Sequence, residues 1–327
     1  MANLRIASDL MATKLVSLSP RTDVFQGISF LLQHNISGAP VVDLDRNYLG
    51  VFSEKSCMNV LNVTAKRASQ SAIPKNSSQS HVTRAQDIMT TRLITLTQEM
   101  DAFDAIGYLL KHRISGAPVI EKDGTFLGVF SEKTSMRVLI GSAYDQLPSS
   151  RVAAFMDADT QRVITGDLTL LQVSQIFLDT PYRRLPVLHQ GKLLGQISRR
   201  DVLRGQHHLA QYLNTEDRDH AILESGIHLG RDELNQETLP FSADVATFMD
   251  GSAHTIEENA DILKIAHQFL NTPYRRLPVL HEGKLVGQVS RRDVLQATHD
   301  SMELLPPPEK SLLYLSSLVE RDNIPFS

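Results

Sequence analysis

The sequence predicts an α/β fold built from four copies of one β-α-β-β-α unit. Two observations carry this. Thr180–Leu203 and Thr272–Leu295 are nearly the same stretch, differing only at Gln190/Glu282, Leu194/Val286 and Ile197/Val289. His34–Leu61 aligns with His112–Leu139 without a gap, and the two share the blocks ISGAPV and LGVFSEK. Repeats at a fixed spacing define the architecture before any single element does.

The elements follow in the same order each time. In unit 1, Asp9-Leu-Met leads into LVSLSP, a short alternating strand. DVFQGISFLLQHN then puts Val24, Ile28 and Leu31 on one helical face. Unit 2 runs from Asp87-Ile-Met through LITLTQ and DAFDAIGYLLKH. Unit 3 starts near Ala154-Phe-Met; Leu170, Val173 and Phe177 share its helical face. Unit 4 starts near Thr247-Phe-Met, with Ile262, Ile265, Ala266 and Phe269 together. In each late copy an apolar LPVL run, a two-residue turn at Gly191 or Gly283 and a second apolar run read as a hairpin. A helix starts at Ser-Arg-Arg-Asp.

The resulting boundaries are 8–64, 87–142, 150–210 and 244–300. A Ser-rich flexible loop is expected over 65–86, a polar connection over 211–243 and a C-terminal tail over 301–327. Units of about 55 residues are too small to be comfortable alone. Pairing is therefore expected, one with two and three with four.

Bulk composition narrows the function classes. The chain has 327 residues, 42% hydrophobic, with a net charge of -4 and a pI near 6.3. No global basic field recruits nucleic acid. A single cysteine, Cys57, rules out an intramolecular disulfide. No stretch approaches the ~20 apolar residues that span a bilayer, so a soluble cytoplasmic protein is expected. The histidines show no metal-ligand spacing, so no structural zinc is expected. No phosphate-loop, dinucleotide-binding or nucleophile-elbow motif is present, and no nucleophile–base pair stands out.

The opening Asp/Phe-x-Met, the apolar helix, the [RG]-[LA]-P-V strand and the G-x-[IVF]-S-x-x-D end resemble the CBS domain. Four copies make two tandem pairs, or Bateman modules, each with a pseudo-two-fold axis. The layout is similar to that of the gamma subunit of AMP-activated protein kinase. The resemblance implies a non-catalytic regulatory protein. It binds adenosine nucleotides, or other adenosyl ligands, in clefts between paired repeats.

Local chemistry is weighed beside that resemblance. Asp201 and Asp293 each lie three residues after a serine, Ser198 or Ser290, at a strand-to-helix junction. One reading is a helix cap; the other, implied by the resemblance, is a carboxylate accepting from both ribose hydroxyls, with the serine facing phosphate. The two are compatible. Units 1 and 2 keep Ser53 and Ser131 but carry Ser56 and Thr134 in place of the carboxylate. Arg183-Arg184 and Arg275-Arg276 precede buried strands and suit phosphate oxygens; units 1 and 2 have Ser37-Gly38 and Ser115-Gly116 there. Arg199-Arg200 and Arg291-Arg292 either face the same anion or lie on the surface of the first helical turn.

The expected ligand is thus AMP, ADP or ATP in the cleft between units 3 and 4. A protein partner or a homodimer would receive the signal. S-adenosylmethionine is the alternative ligand, disfavoured because the arginines repel its sulfonium. A dimerisation or interaction scaffold with little ligand binding is the alternative role.

Overall fold

The computed structural model describes residues 5–70, 83–143, 150–205 and 243–303, with side chains outside 64–70 and 301–303. The connection expected over 211–243 lies almost wholly outside these residues, as does most of the tail. Four hairpins form, each an antiparallel pair: Gly38–Val42 with Tyr48–Ser53, Gly116–Ile120 with Phe126–Ser131, Arg184–His189 with Lys192–Ser198, and Arg276–His281 with Lys284–Ser290. All four shift register at the same place, between the fourth and fifth residues of the first strand (Val41/Val42 in the first). In the late copies His189 pairs with Lys192 and His281 with Lys284. That leaves two-residue turns in which Gln190 and Gly191, or Glu282 and Gly283, both have positive φ, the twist a tight hairpin needs.

The strand expected before each hairpin shrinks to a single parallel bridge in three units, Leu18 to Val41, Leu96 to Val119 and Ile164 to Val187. Only unit 4 extends it, to Ile256–Glu257. The helix after the first hairpin runs Glu54–Gln70. It enters the segment expected to be a loop, because nothing in KRASQ breaks a helix. Helix starts are capped as their sequences suggest. Asp23 accepts from the Phe25 and Gln26 amides, Asp261 from the Lys264 amide at 2.7 Å, and Thr169 with Gln172 forms a capping box.

The units do associate in pairs, but not the consecutive ones expected. Unit 1 exchanges its opening segment with unit 4. The Ala7 amide donates to Ala260 O at 2.8 Å and the Ile262 amide to Arg5 O at 3.0 Å. In return the Val245 amide donates to Thr22 O at 2.8 Å, and the Val24 amide to Ala243 O. Units 2 and 3 do the same through Ala85 to Leu168 O, Leu170 to Thr83 O, Val152 to Met100 O and Ala102 to Ser150 O. Sequence likeness had grouped like with like. It records duplication, whereas contact follows from which opening segment reaches which sheet.

Two apolar clusters result. One joins units 2 and 4 and takes in Ala7, Val152 and Phe155 from the opening segments of units 1 and 3. The other joins units 1 and 3 and takes in Ala85 and Val245 from units 2 and 4. Val152 and Val245 are fully buried, each burial being worth roughly 1.5–3 kcal/mol. No unit owns a complete core.

The exchanged segments cross the sheets at one glycine per unit. A Cβ on Gly50 would lie 2.7 Å from Asp250 O, and one on Gly128 2.7 Å from Asp157 O. Gly195 and Gly287 meet Met89 and Met11 in the same way. Gly50→Ala or Gly128→Ala should therefore destabilise the protein by about 1–3 kcal/mol, the scale of overpacking against groups that cannot yield. Gly251→Ala, whose nearest neighbour would be at 3.6 Å, should change it by less than about 0.5 kcal/mol. Thermal denaturation of the three variants checks the contrast.

Candidate functional site

The S-x-x-D junctions are capping boxes in the structure. The Ser198 amide donates to Asp201 Oδ2 at 2.8 Å, the Ser198 hydroxyl to the same oxygen at 2.6 Å, and the Asp201 amide back to Ser198 Oγ at 3.3 Å. Ser290 and Asp293 repeat the two backbone bonds, the Ser290 amide to Asp293 Oδ2 at 2.7 Å and the Asp293 amide to Ser290 Oγ at 3.3 Å. Units 1 and 2 close the same box with hydroxyls. The Ser53 amide donates to Ser56 Oγ at 3.3 Å, and the Ser131 amide to Thr134 Oγ1 at 2.7 Å. The cap therefore does not depend on the carboxylate.

The basic turns meet partners in the units that lack them. Glu54 and Glu132 begin the helices of units 1 and 2 and are only 7% and 3% exposed. Arg183 Nη2 lies 3.2 Å from Glu54 Oε2, and Arg200 Nε donates to Oε1 of the same carboxylate at 3.2 Å. Arg275 Nε donates to Glu132 Oε2 at 3.2 Å, and Arg292 Nε lies 3.6 Å from Oε1. Arg184 donates to the Ser115 hydroxyl and Arg276 to that of Ser37 at 3.4 Å. Arg200 also reaches Asn35 Oδ1 at 2.5 Å. The joint occurrence of basic turn and acidic junction in units 3 and 4 thus has a structural counterpart: opposite charge in units 1 and 2.

Arg199 and Arg291 serve the fold. Each is buried and donates to two carbonyls at a helix end, Phe177 and Thr180 for Arg199, Phe269 and Thr272 for Arg291, where the helix dipole is negative. Burial lowers both guanidinium pKa values to about 10.

Two cavities lie where three units meet. One, of about 600 Å³, sits between units 2 and 3 with unit 4 closing one side. The other, of about 590 Å³, sits between units 1 and 4 with unit 3 closing one side. Both fall in the range of small-molecule sites. A cleft was expected between units 3 and 4; these two cavities lie instead along the exchanged pairs, 2 with 3 and 1 with 4.

Of the expected site residues, Arg183, Arg184 and Arg275 line the first cavity. Ser198, Asp201, Ser290, Asp293, Arg200, Arg276 and Arg292 line neither. The first cavity adds residues that the sequence had not singled out, namely Lys133 and Arg137 from unit 2 and Arg162 and Tyr182 from unit 3. Arg162 donates to Asp157 Oδ2 at 2.8 Å and stacks over the Tyr182 ring at 4.9 Å. With Arg291, seven cationic side chains face two carboxylates, Glu132 and Asp157.

That surplus has an electrostatic cost. Burial pulls the Arg183 pKa down, with Glu54 acting against it, and burial followed by the neighbouring Arg275 and Arg183 pulls Arg184 down. Burial, then Arg291, lowers Lys133. An anion placed among them offsets both effects. Among the described residues no group of His, Cys, Asp and Glu could hold a metal ion, and no helix is long and apolar enough to cross a membrane.

Comparison with known proteins gives the following similarities. The uncharacterized protein MJ1225 of Methanocaldococcus jannaschii is 20% identical over 299 residues, 90% of this chain and 98% of that one. Its crystal structure, described as that of a proposed archaeal homologue of the AMP-activated protein kinase gamma subunit, covers the same 90% with a TM-score of 0.35. CBSX2 of Arabidopsis thaliana, solved in complex with AMP, is 27% identical over 39% of this chain and 98% of its own, with a TM-score of 0.35. The family model of the CBS domain matches residues 7–63, 85–134, 152–208 and 244–300. With four matches over most of its length, the chain belongs to the CBS domain family.

Proposed function

We propose that this chain is a non-catalytic regulatory protein that binds a phosphorylated adenine nucleotide in the cavity between units 2 and 3 and passes its occupancy to a protein partner. The observation that carries this reading is the convergence of Arg183, Arg184 and Arg275 on one cavity with a large cationic surplus. Guanidinium groups bind phosphate oxygens through paired N–H donors and keep their charge. Adenine is the base that the family resemblance implies. The same surplus disfavours S-adenosylmethionine, whose sulfonium would add to it.

The coupling follows from shared side chains. Arg275 lines the cavity while holding Glu132, and Arg183 lines it while holding Glu54. A phosphate competes with the carboxylates for these arginines. Occupancy thereby alters the contacts of unit 4 with unit 2 and of unit 3 with unit 1. A ligand shifts a conformational equilibrium only through such differential contacts.

A second reading keeps the ribose role of Asp201 and Asp293, both half-buried and engaged in their caps through Oδ2. Calorimetric titration with AMP separates the two. Arg183→Ala/Arg184→Ala should weaken binding at least about tenfold, since a hydrogen bond to a charged group is worth ~1.5–3 kcal/mol. Asp201→Asn/Asp293→Asn, which keeps a capping oxygen, should leave the affinity within about twofold, well under 1 kcal/mol. Loss in the aspartate variant with retention in the arginine variant would move the nucleotide to the helix starts of units 3 and 4.

Glu132→Gln tests the coupling. Without ligand the variant should be less stable than the wild type, because Arg275 and Arg292 lose their counter-charge. Saturating AMP should raise its Tm by more than it raises that of the wild type, since the freed Arg275 turns to the phosphate. Equal shifts would show that Glu132 and the nucleotide do not share Arg275.

A further inference from the structure

The first cavity contains an amine that the proposed function leaves without a task. Lys133 lines it together with Arg137, Arg162, Arg183, Arg184, Arg275 and Arg291. It is the second residue of the helix Glu132–Ala143, where the positive end of the helix dipole disfavours a cation. Burial, then Arg291, lowers its pKa; Arg137 adds to this and Asp157 acts against it. The two carboxylates of the cavity are engaged elsewhere, Glu132 with Arg275 and Asp157 with Arg162. A lysine that is desolvated beside other cations spends more of its time as the free amine, and the free amine is a nucleophile.

Unit 1 supplies an internal comparison. Lys55 aligns with Lys133, is the second residue of the helix Glu54–Gln70 and lines the second cavity. Burial, then Arg199, lowers its pKa as well. Its surroundings are of the opposite sign. Lys55 is the one cation among the residues lining that cavity, and Asp179 and Asp250 lie beside it. The frame thus presents two amines of similar chemistry, one among arginines and one among carboxylates. What separates them is the charge of the reagent that each cavity admits.

We infer that Lys133 is a covalent modification site, an amine that takes the acyl group of a small acyl phosphate held by the arginines of the first cavity. The amine nitrogen attacks the carbonyl carbon and forms the N–C bond of an amide. The C–O bond to phosphate breaks, its electron pair leaves with the phosphate, and the amine proton follows to give hydrogen phosphate. Negative charge grows on the phosphate oxygens as that bond breaks, so fixed guanidinium groups favour the transition state over the bound donor. Acylation removes one of the seven positive charges of the cavity and leaves a smaller surplus for any other anion. The inference rests on the phosphate-binding half of the proposed function and not on adenine.

The test compares two acetyl donors on the full chain: acetyl phosphate, which is anionic, and N-hydroxysuccinimidyl acetate, which is neutral. Peptide mass spectrometry follows the rates at Lys133 and Lys55. The ratio of the Lys133 rate to the Lys55 rate should be at least about tenfold higher with acetyl phosphate, the scale of one hydrogen bond to a charged group. Arg183→Ala/Arg184→Ala should return it to the ratio seen with the neutral donor. Should that variant fold poorly, inorganic phosphate added to the wild type gives an independent readout: it should slow acetylation by acetyl phosphate at Lys133 and leave Lys55 unchanged. Equal ratios for the two donors would overturn the inference, as would a preference for Lys133 that neither phosphate nor loss of the arginines reduces. Selective acetylation of Lys133 in a chain that binds no AMP would sustain this inference and end the nucleotide reading. AMP binding with equal ratios would do the opposite.

Discussion

The architecture depends on the reciprocal exchange of opening segments between units 1 and 4 and between units 2 and 3. Each exchange closes backbone hydrogen bonds that would otherwise be exposed sheet edge, and each inserts apolar residues into a core that the host unit leaves incomplete. The glycines at Gly50, Gly128, Gly195 and Gly287 make the crossing possible by letting another backbone or a methionine approach where a side chain would stand. Because the exchange fixes which units face each other, it also fixes where the cavities are and what lines them.

Charge is distributed over this frame by a division of labour. Units 3 and 4 carry the arginines, and units 1 and 2 carry the two buried glutamates that receive them. Two carboxylates cannot neutralise so many guanidinium groups, and the excess is concentrated on one cavity rather than shared between both. A buried ion pair contributes little net stability once desolvation is counted. Its value here is positional: each glutamate holds two arginines of another unit near the place where four units meet.

Much of this was legible in the sequence because much of it is local. The repeat, the two-residue turns at Gly191 and Gly283, and the Ser198–Asp201 and Ser290–Asp293 boxes each depend on residues a few positions apart. The pairing of units was not legible, since Ala7 meets Ala260 across most of the chain and similarity between units 3 and 4 says nothing about contact. The site was half legible. Arg183, Arg184 and Arg275 declared themselves by repetition, but Lys133, Arg137 and Arg162 belong to the cavity only through tertiary placement. A signal for Glu54 and Glu132 was available: they align with Arg199 and Arg291, so opposite charges stand in one column of the repeat.

The exchange has a further consequence during synthesis. Unit 1 takes its partner segment from unit 4, made more than two hundred residues later, while units 2 and 3 can exchange segments as soon as both are made. At roughly 5–20 residues per second, unit 1 waits some tens of seconds for the segment that carries Ala243 and Val245 into its cluster. The backbone exchange between units 2 and 3 can thus close well before that between units 1 and 4, whereas neither apolar cluster is complete until units 2 and 4, and units 1 and 3, have come together.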